Sequence, residues 1–495
     1  VCTGRDVVAS LRGLAAAAIG LVGGAVLLAP WVATFTAFRS DPGAFGFVEY
    51  LPHLPFADVL RLHTGPAGGG YASWGFYAAG AFGLLVASGP RLSWVARAWF
   101  LALGGVALVY VPSQIWPNAR VPAAEGALVA TALGLAVAAG LGVAAFGDEL
   151  RRARFGWRQL AAVLAGLGIA LAAVGFTADA VDGRWHAPTK GWNDEVSFTR
   201  DRLFAGAFRI LWVGDPAVLP TDPYQVRPGI GYAVTLGGGG DAREVVRAPA
   251  GVGDGALRRA VELALDGRTN RLGRLVGPMG IRYVAVPSRN GPGGQPARVI
   301  PGLGTRFADQ LDLAELQTGS GLQLYENAAW IPVTAFVEPR ADLPVGTVDP
   351  VRSTVGLDLS GDAAALGSTP VGPGTVLLAQ NHDDHWTATS GRPLAHRVAF
   401  GWGNAFEQVD KGVVSVGYDG QTPATLLVIG QGLVWLAVLV VAWRGRRRWI
   451  TRLVPADPTT RVERREDTRR RREARDAARD RLRRDELDDD FWSHG

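Results

Sequence analysis

Six long apolar runs decide what this 495-residue chain can fold into. Each run has about 18 to 26 residues, and a helix needs about 20 residues to cross the hydrocarbon core of a bilayer. Because a backbone inside a bilayer must satisfy its own hydrogen bonds, each run is predicted to be a transmembrane helix rather than a helix buried in a large soluble core. The runs cover residues 14–38, 71–88, 92–111, 121–146, 157–178 and 425–443.

The composition agrees with a membrane protein. Charged residues make up 19% of the chain and hydrophobic residues 48%, whereas a soluble domain usually carries about 25% charge. These values argue against a disordered chain and against an ordinary cytosolic enzyme. Cys2 is the one cysteine, so an intramolecular disulfide is impossible.

The placement of arginine predicts the orientation of the spans. Short cytosolic loops carry an excess of Lys and Arg. Arginines precede the first span, lie between spans two and three and between spans four and five, and follow span six. In a six-span protein these four places lie on one side of the membrane. We therefore expect a multi-pass plasma-membrane protein with both termini cytosolic and residues 183–423 extracytoplasmic.

The predicted fold class is a polytopic α-helical membrane protein with six spans, an extracytoplasmic α/β plus β-sandwich domain and a charged cytosolic tail. After residue 182 the apolar runs shorten to strand length, with one helix-like run at 256–265 and a predicted strand pair at 322–337. From 345 onward only strand-like runs occur, which favours a small β-sandwich. The predicted domains are a five-helix transmembrane region at 1–182, an α/β domain at 183–344, a β-sandwich at 345–423, a sixth transmembrane helix at 424–443 and the charged tail at 444–495.

The tail has mixed charge and almost no apolar residues. Residues 444–495 contain 17 arginines and 12 acidic residues. Such a segment is typical of a solvated helix or of disorder, and its first part can attract anionic lipid headgroups. The interleaved acidic residues argue against nucleic-acid binding.

Three polar motifs in the exported domain leave alternatives open. HDDH (382–385) contains groups that bind metals, but neighbouring strand residues point to opposite faces, which favours a polar turn without a metal. GGGG (237–240) lacks the GK[ST] sequence of a phosphate-binding loop, which favours a flexible turn. WNDE (192–195) either binds a cation or a sugar or forms a solvated loop.

The outer loop at 39–70 supplies the candidate catalytic residues, which are Asp41, Glu49 and Asp58. A carboxylate at the membrane surface can act as general base on an acceptor hydroxyl presented to a lipid-linked sugar. The alternative is a polar linker in which Asp58 simply begins a short helix.

Two segments of the exported domain resemble a known family. YENAAWIPVTAFV (325–337) and TVLLAQNHDDHWTATSGRPLAHRVAF (375–400) resemble the extracytoplasmic C-terminal domains of YfhO-type bacterial membrane proteins. Together with FRILWVGDP (208–216) and TNRLGRLVGPMGIRYVAVP (269–287), they also resemble the C-terminal halves of large actinobacterial membrane glycosyltransferases of the polyprenyl-linked sugar transferase superfamily. The chain departs from the pattern at Asp384 and His385, where Pro-Gly is usual.

The resemblance implies an enzyme that transfers sugar from a polyprenyl-phosphate or nucleotide donor to an envelope glycan or lipid, with this chain as its C-terminal part or its partner. The expected partners are the lipid bilayer, a polyprenyl-phosphate sugar, an envelope glycan and a cytosolic glycosyltransferase, with no nucleic acid and no cofactor. The alternative is a non-catalytic membrane scaffold whose ectodomain binds a glycan or a protein. Candidate stacking surfaces for the glycan, although such rings more often lie in a core, are Trp212, Trp330, Trp386 and Trp402.

Overall fold

The computed structural model has two compact units, one formed by Thr34–Gln421 and the other by Val1–Ala33 with Thr422–Gly495. The catalytic candidates Asp41 and Glu49 lie outside the described residues, as does the tail from 454 onward. The structure describes residues 18–28, 47–48, 54–64, 73–115, 121–150, 157–181, 188–240, 250–294, 296–319, 321–340, 342–344 and 354–453, with the single residues 15, 183 and 244.

Each of the six apolar runs contains a helix. Among the described residues, three helices are long and apolar enough to cross a bilayer, over Pro90–Pro112, Ala124–Gly147 and Gln421–Arg444. The chain is therefore a membrane protein, while the prediction of six spans is not confirmed. The helices are α1 (Ala18–Leu27), α2 (Phe56–Leu60), α3 (Trp74–Val86), α4 (Pro90–Ile115), α5 (Ala124–Leu150), α6 (Trp157–Val181), α7 (Trp192–Glu195), α8 (Val252–Leu265), α9 (Leu272–Val276), α10 (Leu303–Ala308) and α11 (Gln421–Leu453).

Helices α3, α4 and α5 pack through small residues and a few polar side chains. Trp99 Nε1 on α4 donates to the backbone oxygen of Gly80 on α3 at 3.1 Å. Thr131 on α5 is fully buried, and its hydroxyl donates to the backbone oxygen of Ala102 on α4 at 2.9 Å. Such hydrogen bonds between helices suit an apolar environment, because an unpaired polar group there is costly.

The strands form two larger sheets and two small ribbons. One sheet has six strands in the order β4-β5-β3-β6-β8-β7, and the other has five in the order β10-β9-β11-β14-β13. The strands are β1 (Phe47–Val48), β2 (Val121–Pro122), β3 (Arg209–Gly214), β4 (Tyr224–Arg227), β5 (Ile230–Leu236), β6 (Ile281–Pro287), β7 (Leu313–Leu316), β8 (Leu322–Asn327), β9 (Thr334–Val337), β10 (Ala363–Ala365), β11 (Gly374–Leu378), β12 (Trp386–Thr389), β13 (Ala395–Ala399), β14 (Gly403–Gln408) and β15 (Ser415–Tyr418).

The six-stranded sheet is built around β3 and β6, its one parallel pair. Every residue of β6 is buried, which agrees with its continuous apolar run. Alternate residues of β3 face opposite sides. Leu211 packs in a core with α8 and α9, whereas Trp212 packs with Trp192 and Phe208 on the other face. Both faces are therefore covered.

The five-stranded sheet is antiparallel, and the β12–β15 ribbon packs against one of its faces through Ala388 and Val416. The predicted pairing of two strands within 322–337 is wrong. β8 pairs with β6 and β7, while β9 pairs with β10 and β11 in the other sheet. The turn after Asn327 and the missing N–H of Pro332 interrupt the ladder. The second sheet thus takes a strand from upstream of residue 345.

Candidate functional site

Asp58 is the one catalytic candidate within the described residues. It lies in the first turn of α2, where its carboxylate is 2.7 Å from Nη2 of Arg61 and 3.8 Å from Nδ1 of His63. This position matches the helix-start alternative. A role for Asp58 as general base stays a prediction, as do the roles of Asp41 and Glu49.

The four candidate tryptophans have different surroundings. Trp212 is fully buried, and its indole N–H donates to Thr235 Oγ1 at 2.8 Å. Trp330 is half-buried with the Arg282 guanidinium 4.4 Å from its ring centre. Trp386 is half-buried beside Tyr418, with ring centres 4.9 Å apart. Trp402 lines the cavity described below.

WNDE and GGGG contact each other. Asn193 Nδ2 donates to the backbone oxygen of Gly240 at 3.0 Å, and the Gly239 N–H donates to Asn193 Oδ1 at 2.9 Å. Trp192 is buried against Trp212. The solvated-loop interpretation of WNDE is therefore wrong, because this segment holds the glycine turn in place and contributes a ring to the core.

HDDH forms a polar turn before β12, as its sequence favours. The two imidazoles have different partners. Nδ1 of His382 is 3.1 Å from Asn404 Oδ1, while Nδ1 of His385 is 2.7 Å from Asp383 Oδ1. The Asp383 carboxylate also accepts from Tyr418, and these hydrogen bonds lower the pKa of Asp383, with the bonds from His385 acting most strongly.

A cavity of about 170 Å³ lies where the two larger sheets meet, and it is the best candidate for a functional site. Strands β3, β5 and β6 and the start of α8 form one wall. The loop after β11 and the turn before β14 form the other. The lining residues are Arg209, Val234, Gly253, Asp254, Leu257, Met279, Ile281, Ala379, Gln380, Asn381 and Trp402.

Asn381 joins the two walls. Its Oδ1 accepts from the Gly253 N–H at 2.8 Å, and its Nδ2 donates to Asp254 Oδ2 at 3.3 Å. A Cβ at Gly253 would lie 2.6 Å from Asn381 Oδ1, so a larger residue there would displace the Asn381 side chain from this contact. The Asn404 side chain fixes the same loop by donating to the backbone oxygen of Gln380 at 3.0 Å. The polar wall is therefore held in position before any ligand arrives.

Arg209 places a positive charge in the wall. It is the first residue of β3 and half-buried, and its Nη1 donates to the backbone oxygen of Met279 at 2.6 Å. No other described residue pairs with its guanidinium. Burial lowers the pKa of Arg209 to about 10, while the Asp254 carboxylate acts in the opposite direction. The side chain therefore remains charged at neutral pH.

Trp402 carries an unsatisfied donor. The residue is 4% exposed, and its buried Nε1 has no hydrogen-bond partner among the described residues. A buried donor left unpaired costs about 1–3 kcal/mol. This nitrogen has almost no accessible surface, so it lies away from the space that the cavity offers to a ligand, and Trp402 lines the cavity with its ring.

The polar side chains of the cavity wall are a guanidinium, two amides and the Asp254 carboxylate. That carboxylate already accepts from the Gly251 N–H at 2.8 Å and from Asn381. Planar amides and a guanidinium are groups that hold a polar ligand by hydrogen bonds.

The residue pattern indicated Trp402 and did not indicate Arg209, Asp254, Gln380 or Asn381. Gly253 and Asn381 are 128 positions apart, and the pattern of residues around each one predicts only a helix start or the end of a strand. An unpaired buried arginine has no sequence signal, since its partners depend on the fold.

The helices and the two-sheet domain define a membrane protein with a folded domain of mixed α and β structure. No protein-family model matches the sequence, and no curated protein is significantly similar to it.

Among solved structures, the chain is similar to the single-particle cryo-EM structure of arabinofuranosyltransferase AftD from Mycobacteria. The TM-score is 0.30 and the identity 17%, over 66% of this chain and 25% of that chain. A mutant structure of AftD gives a TM-score of 0.29 and 16% identity, over 63% of this chain and 25% of that one. The chain thus spans about a quarter of AftD. TM-scores at this level do not establish a shared fold.

Proposed function

We propose that this protein binds a cell-envelope glycan in the cavity between its two sheets while its helices hold the domain at the plasma membrane. The observation that supports this most is the wall built from the side chains of Arg209, Gln380 and Asn381 beside the ring of Trp402. Sugars present many hydroxyl groups, and fixed amide and guanidinium groups complement them.

In this proposal the glycan-binding domain serves a sugar transferase, with the chain as its C-terminal part or its partner. The resemblance of 325–337 and 375–400 to membrane glycosyltransferases motivates this link. The Asp254 carboxylate is the group of the cavity lining that could act as a base, and it is already hydrogen-bonded to Gly251 and Asn381, which favours a binding role for the cavity itself. Transfer chemistry from a polyprenyl-phosphate or nucleotide donor would then take place elsewhere.

Glycan binding is tested with two variants of the wall. Gln380→Ala removes an amide whose side chain has no partner among the described residues, and Trp402→Leu removes the aromatic ring from the wall while keeping an apolar side chain. Each is expected to weaken binding of immobilised envelope polysaccharides to the full chain in detergent micelles by about 3- to 10-fold, the value of one hydrogen bond or one ring contact.

Gln323→Ala is the matched control, because Gln323 is exposed on β8 and does not line the cavity. Its binding should equal that of the unmodified protein. Equal binding by all three variants, or no binding by the unmodified protein, would refute the proposed function.

The proposal places residues 183–423 outside the cell and both termini inside. The single cysteine makes this testable, since Cys2→Ser leaves a cysteine-free chain. In that background, Ser368→Cys at an exposed position should react with an impermeant maleimide in intact cells, whereas Ser493→Cys should react only after permeabilisation. The reverse pattern would overturn the orientation.

A further inference from the structure

We propose that the cavity takes an acidic substituent of the glycan, a carboxylate or a phosphate, and that Arg209 is the residue that recognises it. This inference rests on the proposed glycan function and adds to it the chemical class of the ligand. It starts from an unusual property of Arg209, which is a half-buried cation bonded to one backbone oxygen and without an ion pair among the described residues.

An isolated cation removed from water is unfavourable, and proteins normally offset this with a paired anion. Asp254 is the carboxylate that shares the cavity wall, but it forms no ion pair with Arg209. Its Oδ2 instead accepts from Gly251 and Asn381. The guanidinium therefore keeps donors for a planar carboxylate or a phosphate, the groups that its fork matches best.

The rest of the wall leaves this role to Arg209. The Gly253 N–H at the start of α8 already donates to Asn381 Oδ1, and the Asp254 carboxylate already supplies the negative charge in the first turn of this helix. The Gln380 amide, which also lines the cavity, can donate to the same ligand.

The size of the cavity supports a substituent as the occupant. A space of about 170 Å³ accommodates several water molecules. It therefore suits one charged group with part of its sugar ring, while the rest of a polymer would lie outside. Uronic acids and sugar phosphates both carry such a group, and they differ in shape and charge.

The test compares four probes on the full chain in detergent micelles, using calorimetry: glucose, glucuronate, glucose 6-phosphate and inorganic phosphate. The unmodified protein should bind at least one acidic sugar tenfold or more tightly than glucose. The preferred acidic sugar distinguishes a carboxylate from a phosphate ligand. Arg209→Gln should abolish the preference, and Arg209→Lys, which keeps the charge but loses the fork, should retain part of it.

Arg258→Gln is the matched control. It removes an exposed arginine of α8 that pairs with Glu262 and does not line the cavity, so it should leave the preference unchanged. The melting temperature of each variant shows whether the fold persists, and Arg209→Lys keeps the test informative if Arg209→Gln unfolds.

Each outcome decides between the two proposals. Equal binding of glucose and both acidic sugars by the unmodified protein would overturn the role of Arg209 and leave the glycan function standing. Binding of inorganic phosphate without any sugar, lost in Arg209→Gln, would support the anion site and overturn the glycan function. Failure of all four probes to bind would overturn the anion site. If Arg209→Gln still preferred acidic sugars over glucose, Arg209 would not be the residue that recognises the anion.

Discussion

Replacing Asn327 by alanine is expected to lower the free energy of unfolding of the two-sheet domain by about 3–6 kcal/mol, the sum of several lost buried hydrogen bonds. Asn327 is fully buried at the end of β8. Its Nδ2 donates to the backbone oxygens of Gly273 and Ile281, each at 2.9 Å, and its Oδ1 accepts from the Ala329 N–H at 2.9 Å. Alanine would remove all three hydrogen bonds and leave the Ala329 N–H without this acceptor, while the Gly273 oxygen keeps its bond from the Gly277 N–H.

A loss of that size is comparable to the whole stability of many domains, about 5–15 kcal/mol. Pulse proteolysis of the full chain in detergent over a urea series measures it. Asn327→Asp should be at least as destabilising as Asn327→Ala, since it places a fully buried carboxylate against the backbone oxygens of Gly273 and Ile281. Gln323→Ala, exposed on the same strand, is the control and should stay within about 0.5 kcal/mol. A stable Asn327→Ala protein would contradict this account.

The residues on which the family resemblance rests also stabilise the fold. In the YEN segment, the Tyr325 hydroxyl donates to the backbone oxygen of Gly304 at 3.2 Å, and Glu326 lies 3.1 Å from Nη2 of Arg282. Asn327 fixes the turn that separates the two sheets. Mutating this motif should therefore affect stability first and glycan binding only through the fold.

The sequence predicted local elements better than it predicted their partners. Long apolar runs specify helices because length and composition act locally, and the short apolar runs in 208–216 and 280–287, bounded by turn residues, specify buried strands in the same way. The pairing of β9 depends on where β11 comes to lie, which no local pattern records. The local pattern also does not predict that Arg209 and Asn381 line one cavity, because their proximity follows from the packing of two sheets against each other.

Gly105→Leu is expected to disrupt the packing of α4 against α5 and to remove most of the folded protein. A Cβ at Gly105 would lie 2.4 Å from Thr131 Oγ1 and 2.9 Å from the backbone oxygen of Ala127. Helices in a bilayer associate through such close contacts between small residues, since the hydrophobic effect does not drive them together there. A leucine would separate the helices and break the hydrogen bond from Thr131 to Ala102.

The neighbouring residue supplies the control for this prediction. A Cβ at Gly104 would meet no atom within 4 Å, so Gly104→Leu adds the same side chain to the same helix on an open face. Leucine is a better helix former than glycine by about 0.8–1 kcal/mol, which makes this variant neutral or slightly stabilising. Size-exclusion profiles and melting temperatures of both proteins in detergent measure the difference. Equal yields and melting temperatures of the two variants would mean that α4 and α5 do not pack along this face. A loss of folded protein in Gly105→Leu alone would show that the helices form a close-packed bundle and do not span the membrane independently of one another.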